Sequence, residues 1–520
     1  MLIYIPVTPI QPTIIPRSEH AVSRKWISPN AVRVLYKLKE QGYFAYLVGG
    51  GVRDLLLGRE PKDFDVATDA TPNEIKKIFR NCRLIGKRFR LAHIHFHNEI
   101  IEVATFRSSS TDEPPAEVAA GSEIKTGVGD EVAAQKPASR EGEPERPEPP
   151  AMTTATAPRP RPPRMLKTED GMILRDNVFG TPEEDALRRD FTVNALFYNI
   201  ADFSVIDYVG GMRDLRSGLI RIIGDPVVRF TEDPVRMVRA VRFAAVLGFE
   251  IEERTKNALF EHKDRVALAS PSRMYEEVLK LFLFGEGEKT YQLLRKTGLF
   301  GVMFPRLNEW VDTEQEGFPH IWIGKALEWI DACAQSGRPV PPHILFSLMF
   351  GQYIEEQAAE LKSSGAPALD AATRAVAAAL AEQAQRVQIP KKIGLAMRDI
   401  YWNRQRFAKR EGKYPLYFLR RPGFADAYEY FRFTSEVTGD NRELRTWWKE
   451  FIKAHPLTPG EEREIKKTAE RKAGPKRRRR RRRTGKNDSE VRNQNKSKFP
   501  PQKAQRKPQG GDRNKPGRKA

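Results

Sequence analysis

The densest concentration of chemistry-bearing side chains lies between residues 49 and 65, where Gly49-Gly50 is followed by Arg53-Asp54 and then by Asp63-Phe64-Asp65. In a strand, residues two apart project from the same face, so Asp63 and Asp65 present paired carboxylates while Phe64 and Val66 turn to the core. Paired carboxylates repel unless a cation sits between them. Oxygen donors suit a hard ion such as Mg²⁺, which completes its shell with waters and substrate phosphates. Glycine leaves the backbone open, so amide N–H groups at Gly49 and Gly50 can approach a triphosphate, and Arg53 can neutralise it. A D-x-D pair alone is common on protein surfaces. Here a glycine turn, an arginine and a strand accompany it, which points to metal-assisted chemistry on phosphates.

Two further clusters share this character. Arg188-Arg189-Asp190-Phe191-Thr192-Val193-Asn194-Ala195 follows the capping box Thr181-Pro182-Glu183-Glu184 and reads as one helix burying Leu187, Phe191, Ala195 and Tyr198. On that helix Asp190 and Asn194 are i, i+4 neighbours. Glu102, in Ile100-Ile101-Glu102-Val103-Ala104, is a second candidate for a third carboxylate. It ranks below Asp190, although strand geometry alone does not separate them. The last cluster is Glu232-Asp233-Pro234-Val235-Arg236, continuing to Arg239 and Arg242. Asp233-Pro234 reads as an N-cap and first turn, which sets Arg236 and Arg239 one turn apart, with Met237, Val241 and Ala244 buried. His93 and His95 share a strand face, but no third ligand is visible, so packing or RNA contact suits them better than a metal. With no H-E-x-x-H or C-x-x-C, zinc is not expected.

The elements needed to hold these groups are legible. Ser28-Pro29 opens a helix with Val32, Leu35 and Tyr36 on one face, and residues 44–48 (FAYLV) form a short buried strand ending at the glycines. A strand is expected over Asp63–Val66. Thr71-Pro72-Asn73-Glu74 caps a helix carrying Ile75, Ile78 and Phe79, and strands follow over Leu91–Phe96 and Ile100–Phe106. From Thr231 onward the pattern is almost wholly helical. The fold class is therefore a mixed α/β N-terminal domain followed by a long α-helical part. Ser108–Arg164, rich in Ala, Pro, Glu, Thr and Gly, has neither period and reads as a disordered insertion.

Across the 520 residues the charge is uneven. The last fifty carry 21 Lys and Arg against Asp488, Glu490 and Asp512, which is +18 of the net +21 and leaves +3 for the other 470. That segment, with the unbroken run Arg477–Arg483, reads as a disordered tether for the phosphate backbone of RNA. The two cysteines, Cys82 and Cys333, suggest neither disulfides nor metal spacing and fit a reducing cytoplasm. No apolar run is long enough to span a membrane, and the opening residues lack the charged start of a signal peptide.

Gly-Gly…Arg-Asp…Asp-x-Asp resembles the pattern of the DNA polymerase beta nucleotidyltransferase superfamily. The Arg188–Ala195 and Glu232–Arg236 stretches resemble its class II branch, the bacterial poly(A) polymerases and tRNA CCA-adding enzymes. The resemblance covers roughly residues 20–107 and 170–285, and more weakly to about 455. Residues 84–96 (LIGKRFRLAHIHF) and 20–30 (HAVSRKWISPN) resemble the poly(A) branch. The resemblance implies a polymerase-beta-like catalytic domain over 28–205 after an arm at 1–27. A helical neck at 206–285, a helical body at 286–455 and a basic RNA-binding tail at 456–520 would follow. It implies two Mg²⁺ ions on Asp63 and Asp65, with Asp190 also catalytic. Nucleotide binding would fall to Gly49, Gly50, Arg53, Arg188, Arg189, Asn194, Asp233, Arg236 and Arg239.

Within that set the resemblance makes Asp233 and Arg236 a protein template for the incoming base. A carboxylate accepts from an exocyclic amine and a guanidinium donates to a ring nitrogen. Adenine and cytosine both offer that pattern, so the pair does not choose between ATP and CTP. Ser270–Glu277 resembles a neck-stabilising turn, and Trp447-Trp448 suits a core or lid better than base stacking. The activity implied is transfer of AMP from ATP to an RNA 3′ hydroxyl with release of pyrophosphate. A CCA- or A-adding tRNA enzyme is the alternative, and a catalytically silent RNA-binding protein the alternative from another class.

Overall fold

Local signals start the helices where the sequence predicts. The Ser28 hydroxyl accepts the Asn30 N–H, and α1 (Pro29–Glu40) buries Ala31, Val34, Leu35 and Leu38. After the glycines comes α2 (Gly50–Leu56). Thr71 and Glu74 close a reciprocal capping box on α3 (Pro72–Ile78), and Thr181 with Glu184 does so on α4 (Pro182–Arg188). This computed structural model describes residues 11–86, 90–108, 166–167, 173–175, 179–313 and 321–473.

The strands are β1 (Thr13–Ile15), β2 (Ala45–Val48), β3 (Asp65–Thr68), β4 (Cys82–Ile85), β5 (Leu91–His95) and β6 (Ile100–Thr105). They continue with β7 (Leu166–Lys167), β8 (Ile173–Arg175), β9 (Leu196–Asn199), β10 (Val205–Asp207), β11 (Leu219–Ile220) and β12 (Glu250–Ile251). Eight of them form one mixed sheet in the order β1-β10-β9-β2-β3-β6-β5-β4, and β3 and β6 are its parallel pair. Alternation divides its faces. Val66, Ala92, Ile94, Ile101 and Val103 point into the main core, whereas Val48, Ala67, Phe106 and Phe197 form a smaller cluster on the other face. Asp65 lies in register with Val48 on one side and Glu102 on the other, so the carboxylates share the face opposite the main core.

From residue 211 the chain is mostly helical: α5 (Gly211–Ser217), α6 (Pro226–Glu232), α7 (Val235–Leu247), α8 (Glu253–His262) and α9 (Pro271–Phe282). Twelve more α-helices are described, from Gly287–Lys296 to Pro459–Ala473. One continuous apolar core joins Ile15 and Val66 to Phe346 and Phe433, so the sheet and most of the helices are packed together. A separate cluster gathers Phe407, Phe418, Phe424, Phe431 and Trp448. None of the described helices is long and apolar enough to cross a membrane.

Several expectations shift. The arm expected at 1–27 is partly built into the fold: β1 pairs with β10, and Ile15 and Val22 are core residues. β3 begins at Asp65, so Asp63 precedes the strand and is exposed. The helix expected to run from 181 past 194 stops at Arg188; a 3₁₀ turn follows (Thr192–Asn194) and then β9. Two interactions end it. The Asp190 carboxylate accepts its own neighbour's N–H (Phe191, 2.9 Å), and Arg229 takes the carbonyls of Arg188 and Arg189 at 2.6 and 2.8 Å. Part of the tail expected over 456–520 is helical, over Pro459–Ala473. Thr458 and Glu461 cap that helix, and Glu461 meets Arg420 at 2.6 Å. Residues 109–165, with nearly all of the expected insertion, and 474–520, with the arginine run, lie outside the described residues. The chain flanking the insertion closes on itself: Arg107 bridges to Phe179, and the Ser108 hydroxyl donates to Glu184 at 2.8 Å.

Candidate active site

The turn after β2 brings backbone and charge together. Gly49 has φ +74°, a conformation that favours glycine, and a Cβ there would lie 3.4 Å from Arg189 Nη1 and 3.6 Å from Asp65 Oδ2. Gly50 opens α2, which buries Arg53 against Asp54 (2.7 Å) and the Asn194 side-chain oxygen (2.7 Å). Asp65 stands at the head of β3 with Asp63 two residues before it. Burial, then the charges of Glu102 and Asp63, push the Asp65 carboxyl up to about 6 against the opposing pull of Arg189. Ionised, this buried carboxylate would stand beside two further acids, a burden that a bound cation would relieve.

Glu102 sits directly opposite Asp65 on the parallel neighbour strand and directly opposite His93 on β5. The His93 Nε2 lies 3.1 Å from Glu102 Oε1. Among the described residues no three His, Cys, Asp or Glu side chains close a ready-made metal cage. Mg²⁺ does not require one, since it is held by one or two carboxylates together with waters and substrate phosphates. The oxygen donors of Asp63, Asp65 and Glu102 fit such an ion.

Asp190 is placed differently from the sequence expectation. It still meets Asn194 (3.3 Å), but across the 3₁₀ turn, and it is enclosed by Arg239, whose Nε and Nη2 reach its Oδ2 at 2.8 and 2.6 Å. Burial alone would raise its pKa, yet Arg239 and the hydrogen bonds hold it well below the usual carboxylate range. Arg239 in turn reaches Glu277 at 3.6 Å, so its guanidinium is engaged by two acids rather than free for a nucleotide. Of the two candidates for third carboxylate, Glu102 is thus the one beside Asp65. Asp190 is half of a buried ion pair.

A second concentration of charge is positive. Arg188 is lowered to about 9 by burial and then by Arg107, Arg229 and Arg236, and Arg229 to about 10 by burial and Arg236. These groups stay protonated at neutral pH, so their crowding amounts to an affinity for anions. Glu232 offsets part of it, meeting Arg229 at 2.8 Å and Arg236 at 3.4 Å. Arg189, bound to Asp185 at 2.9 Å, links this cluster to the carboxylates through its approach to Gly49.

Asp233 ends α6 rather than capping α7, which starts at Val235. Its two oxygens take a bidentate pair from Arg273, both at 2.7 Å. Arg236, three residues on, donates to the Arg229 carbonyl at 2.9 Å. Sequence reasoning singled out the 270–277 turn but missed what it does. Arg273 engages Asp233, and the buried Glu277 meets Arg239, Arg242 (3.6 Å) and Lys280 (3.0 Å). Phe243 was missed as well, although its ring lies under the guanidiniums of Arg53 (5.1 Å), Arg239 (5.3 Å) and Arg242 (4.2 Å). Nothing local in the sequence marks it, since it looks like any core phenylalanine. Trp448 is fully buried and its indole donates to the Phe407 carbonyl (2.9 Å), a core role as expected.

Residues 45–221 match the model described as "Poly A polymerase head domain", residues 248–311 that of the "Probable RNA and SrmB- binding site of polymerase A", and residues 364–484 that of the "Polymerase A arginine-rich C-terminus". Poly(A) polymerase I of Salmonella typhi is 41% identical over 447 residues, 85% of this chain and 86% of that protein. The CCA-adding enzyme of Bacillus pumilus is 32% identical over 304 residues, 56% of this chain and 61% of that protein. A solved structure titled "tRNA-processing enzyme (apo form I)" aligns with a TM-score of 0.50 and 20% identity, covering 86% of this chain and 98% of that one, and shares the fold. The chain belongs to the bacterial poly(A) polymerase family of class II nucleotidyltransferases.

Proposed function

We propose that this chain is a polynucleotide adenylyltransferase that transfers AMP from ATP to RNA 3′ ends without a template and releases pyrophosphate. The observation that carries it is its 41% identity to a poly(A) polymerase I across 85% of the chain, where the CCA-adding relative matches 56%. Asp63, Asp65 and Glu102 would hold Mg²⁺, two ions in the family's pattern, which when bound lowers the pKa of the attacking hydroxyl and steadies the leaving oxygens. Gly49 leaves space for the triphosphate beside Arg189. Arg53, Arg188, Arg229 and Arg236 form the positive flank that attracts it. Asp190 holds Arg239 and the 192–194 turn in place rather than reacting. Asp233 and Arg236 read the base, and Arg273 holds the Asp233 carboxylate in place for that task. Two buried, unbridged thiols, Cys82 and Cys333, suit a reducing cytoplasm.

The second reading is a CCA- or A-adding tRNA enzyme, kept open because the base-reading pair accepts both ATP and CTP. Supplying ATP or CTP singly to an unstructured RNA and to a tRNA lacking its CCA end separates the two. ATP-dependent growth of the unstructured RNA is expected, and CTP addition confined to the tRNA would transfer the assignment to the alternative. Asp63→Ala and Asp65→Ala should abolish extension while leaving the chain folded and cooperatively melting; retained extension in either would remove that residue from the catalytic centre.

A further inference from the structure

We propose that His93 is a positioning residue for the catalytic centre, fixing the carboxylate of Glu102 beside Asp65; the inference rests on the metal-holding role given to Asp65 and Glu102 above. One row crosses the sheet in register: Val48, Asp65, Glu102, His93 and Arg83, on β2, β3, β6, β5 and β4. Cross-strand neighbours project from the same face, so His93 flanks Glu102 on the side away from Asp65. The imidazole is the more enclosed partner, 16% exposed against 46% for the Glu102 side chain. Its backbone is held rigidly, since Ala92 and Ile94 on either side are fully buried in the main core.

The contact is close without being complete. Nε2 of His93 lies 3.1 Å from Glu102 Oε1, yet it is buried and has no aligned hydrogen-bond partner. A buried polar atom left so is costly, and a small turn of the ring or carboxylate would satisfy it. The other groups near the imidazole are poor substitutes: the His95 ring centroid is 6.3 Å away, and Arg83, opposite in register, has no acceptor to offer a ring N–H. Glu102 is a flexible, half-exposed side chain. Without a neighbour its carboxylate has several orientations, of which only some point toward Asp65. A donor on the far side narrows them before substrate arrives, which is how outer partners of metal-holding carboxylates act.

The test measures Mn²⁺ affinity of the full chain by electron paramagnetic resonance, without nucleotide or RNA, for His93→Ala and His93→Gln. Glutamine keeps an N–H donor at a comparable reach. His93→Ala should bind Mn²⁺ about 10-fold more weakly, and kcat should fall by a similar factor while KM for ATP holds, because the triphosphate flank lies on the other side of Asp65. His93→Gln should recover most of both. Unchanged Mn²⁺ affinity and kcat in His93→Ala would overturn the proposal. So would a loss in both variants accompanied by a lower metal-free melting temperature, which marks a packing role. Asp65→Ala is the control for the underlying reading: if it too leaves Mn²⁺ affinity intact, the carboxylate centre itself is misassigned, whereas a loss there with none at His93 sinks this inference alone.

Discussion

Asp65 shows how a functional residue can weaken the fold that carries it. Its carboxyl is pushed up to about 6 by burial and by Glu102 and Asp63. A carboxyl raised in the folded state binds its proton more tightly there than in the unfolded chain. Its relative stabilisation is therefore fully present below about pH 4 and is lost as pH rises to about 6. In metal-free protein Asp65→Asn should raise stability by on the order of 2 kcal/mol above pH 6 and change nothing near pH 4, while abolishing extension. Chemical denaturation at the two pH values checks this, and equal gains at both would mean that packing, not charge, is responsible. Asp233 makes the complementary case, a carboxylate with its cation already in place. Its bidentate pair with Arg273 fixes its orientation, so its loss should affect selection more than chemistry. Asp233→Ala should reduce discrimination of ATP over UTP by about 10- to 100-fold, the worth of one hydrogen bond to a charged group. An unchanged ratio of the two kcat/KM values would show that another group reads the base.

At the scale of elements, what was legible was what is decided locally. The capping boxes at Thr71 and Thr181 start α3 and α4 as read, because each motif needs only four consecutive residues. The strands around Asp65 and Glu102 were equally visible from alternation. Their register was not, and it is register that makes Glu102 the neighbour of Asp65. The end of α4 was also hidden, since Arg229, which takes the Arg188 and Arg189 carbonyls, lies about forty residues away in another helix. The same holds for α9, whose contribution is to carry Glu277 to Arg239 and Arg242 on α7. Burial alone would raise Glu277, but these guanidiniums and Lys280 hold it low. Glu277→Ala would leave two enclosed guanidiniums without their shared acid, at a cost of about 3 kcal/mol. Urea unfolding should register that loss, and kcat should drop as Arg239 loosens its hold on Asp190. A midpoint equal to that of the unsubstituted protein would mean that Arg239 and Arg242 find adequate partners elsewhere.

For the whole molecule, composition reveals a division of charge that no single element displays. The first 470 residues carry a net charge of +3 and the last fifty carry +18. Within the nearly neutral part, positive charge is spent internally: Arg53, Arg189, Arg229, Arg239 and Arg242 are each bound to acids or carbonyls. Committed to those partners, they leave little general attraction for a long RNA. Arg477–Arg483 with the surrounding lysines would add such attraction to whatever residues 248–311, which match an RNA-binding family model, supply. Each phosphate neutralised on a single strand adds about 0.7 to the slope of log affinity against log salt. Removing Gly474–Ala520 should therefore weaken RNA binding at low salt and flatten its salt dependence, while turnover at saturating RNA persists, since Asp63, Asp65, Glu102 and Asp233 all lie more than 200 residues upstream. Affinity measured across a salt series for both proteins decides the matter. Superimposable lines would mean that the arginine run does not contact RNA, and that the folded part grips its substrate through surfaces its net charge does not reveal.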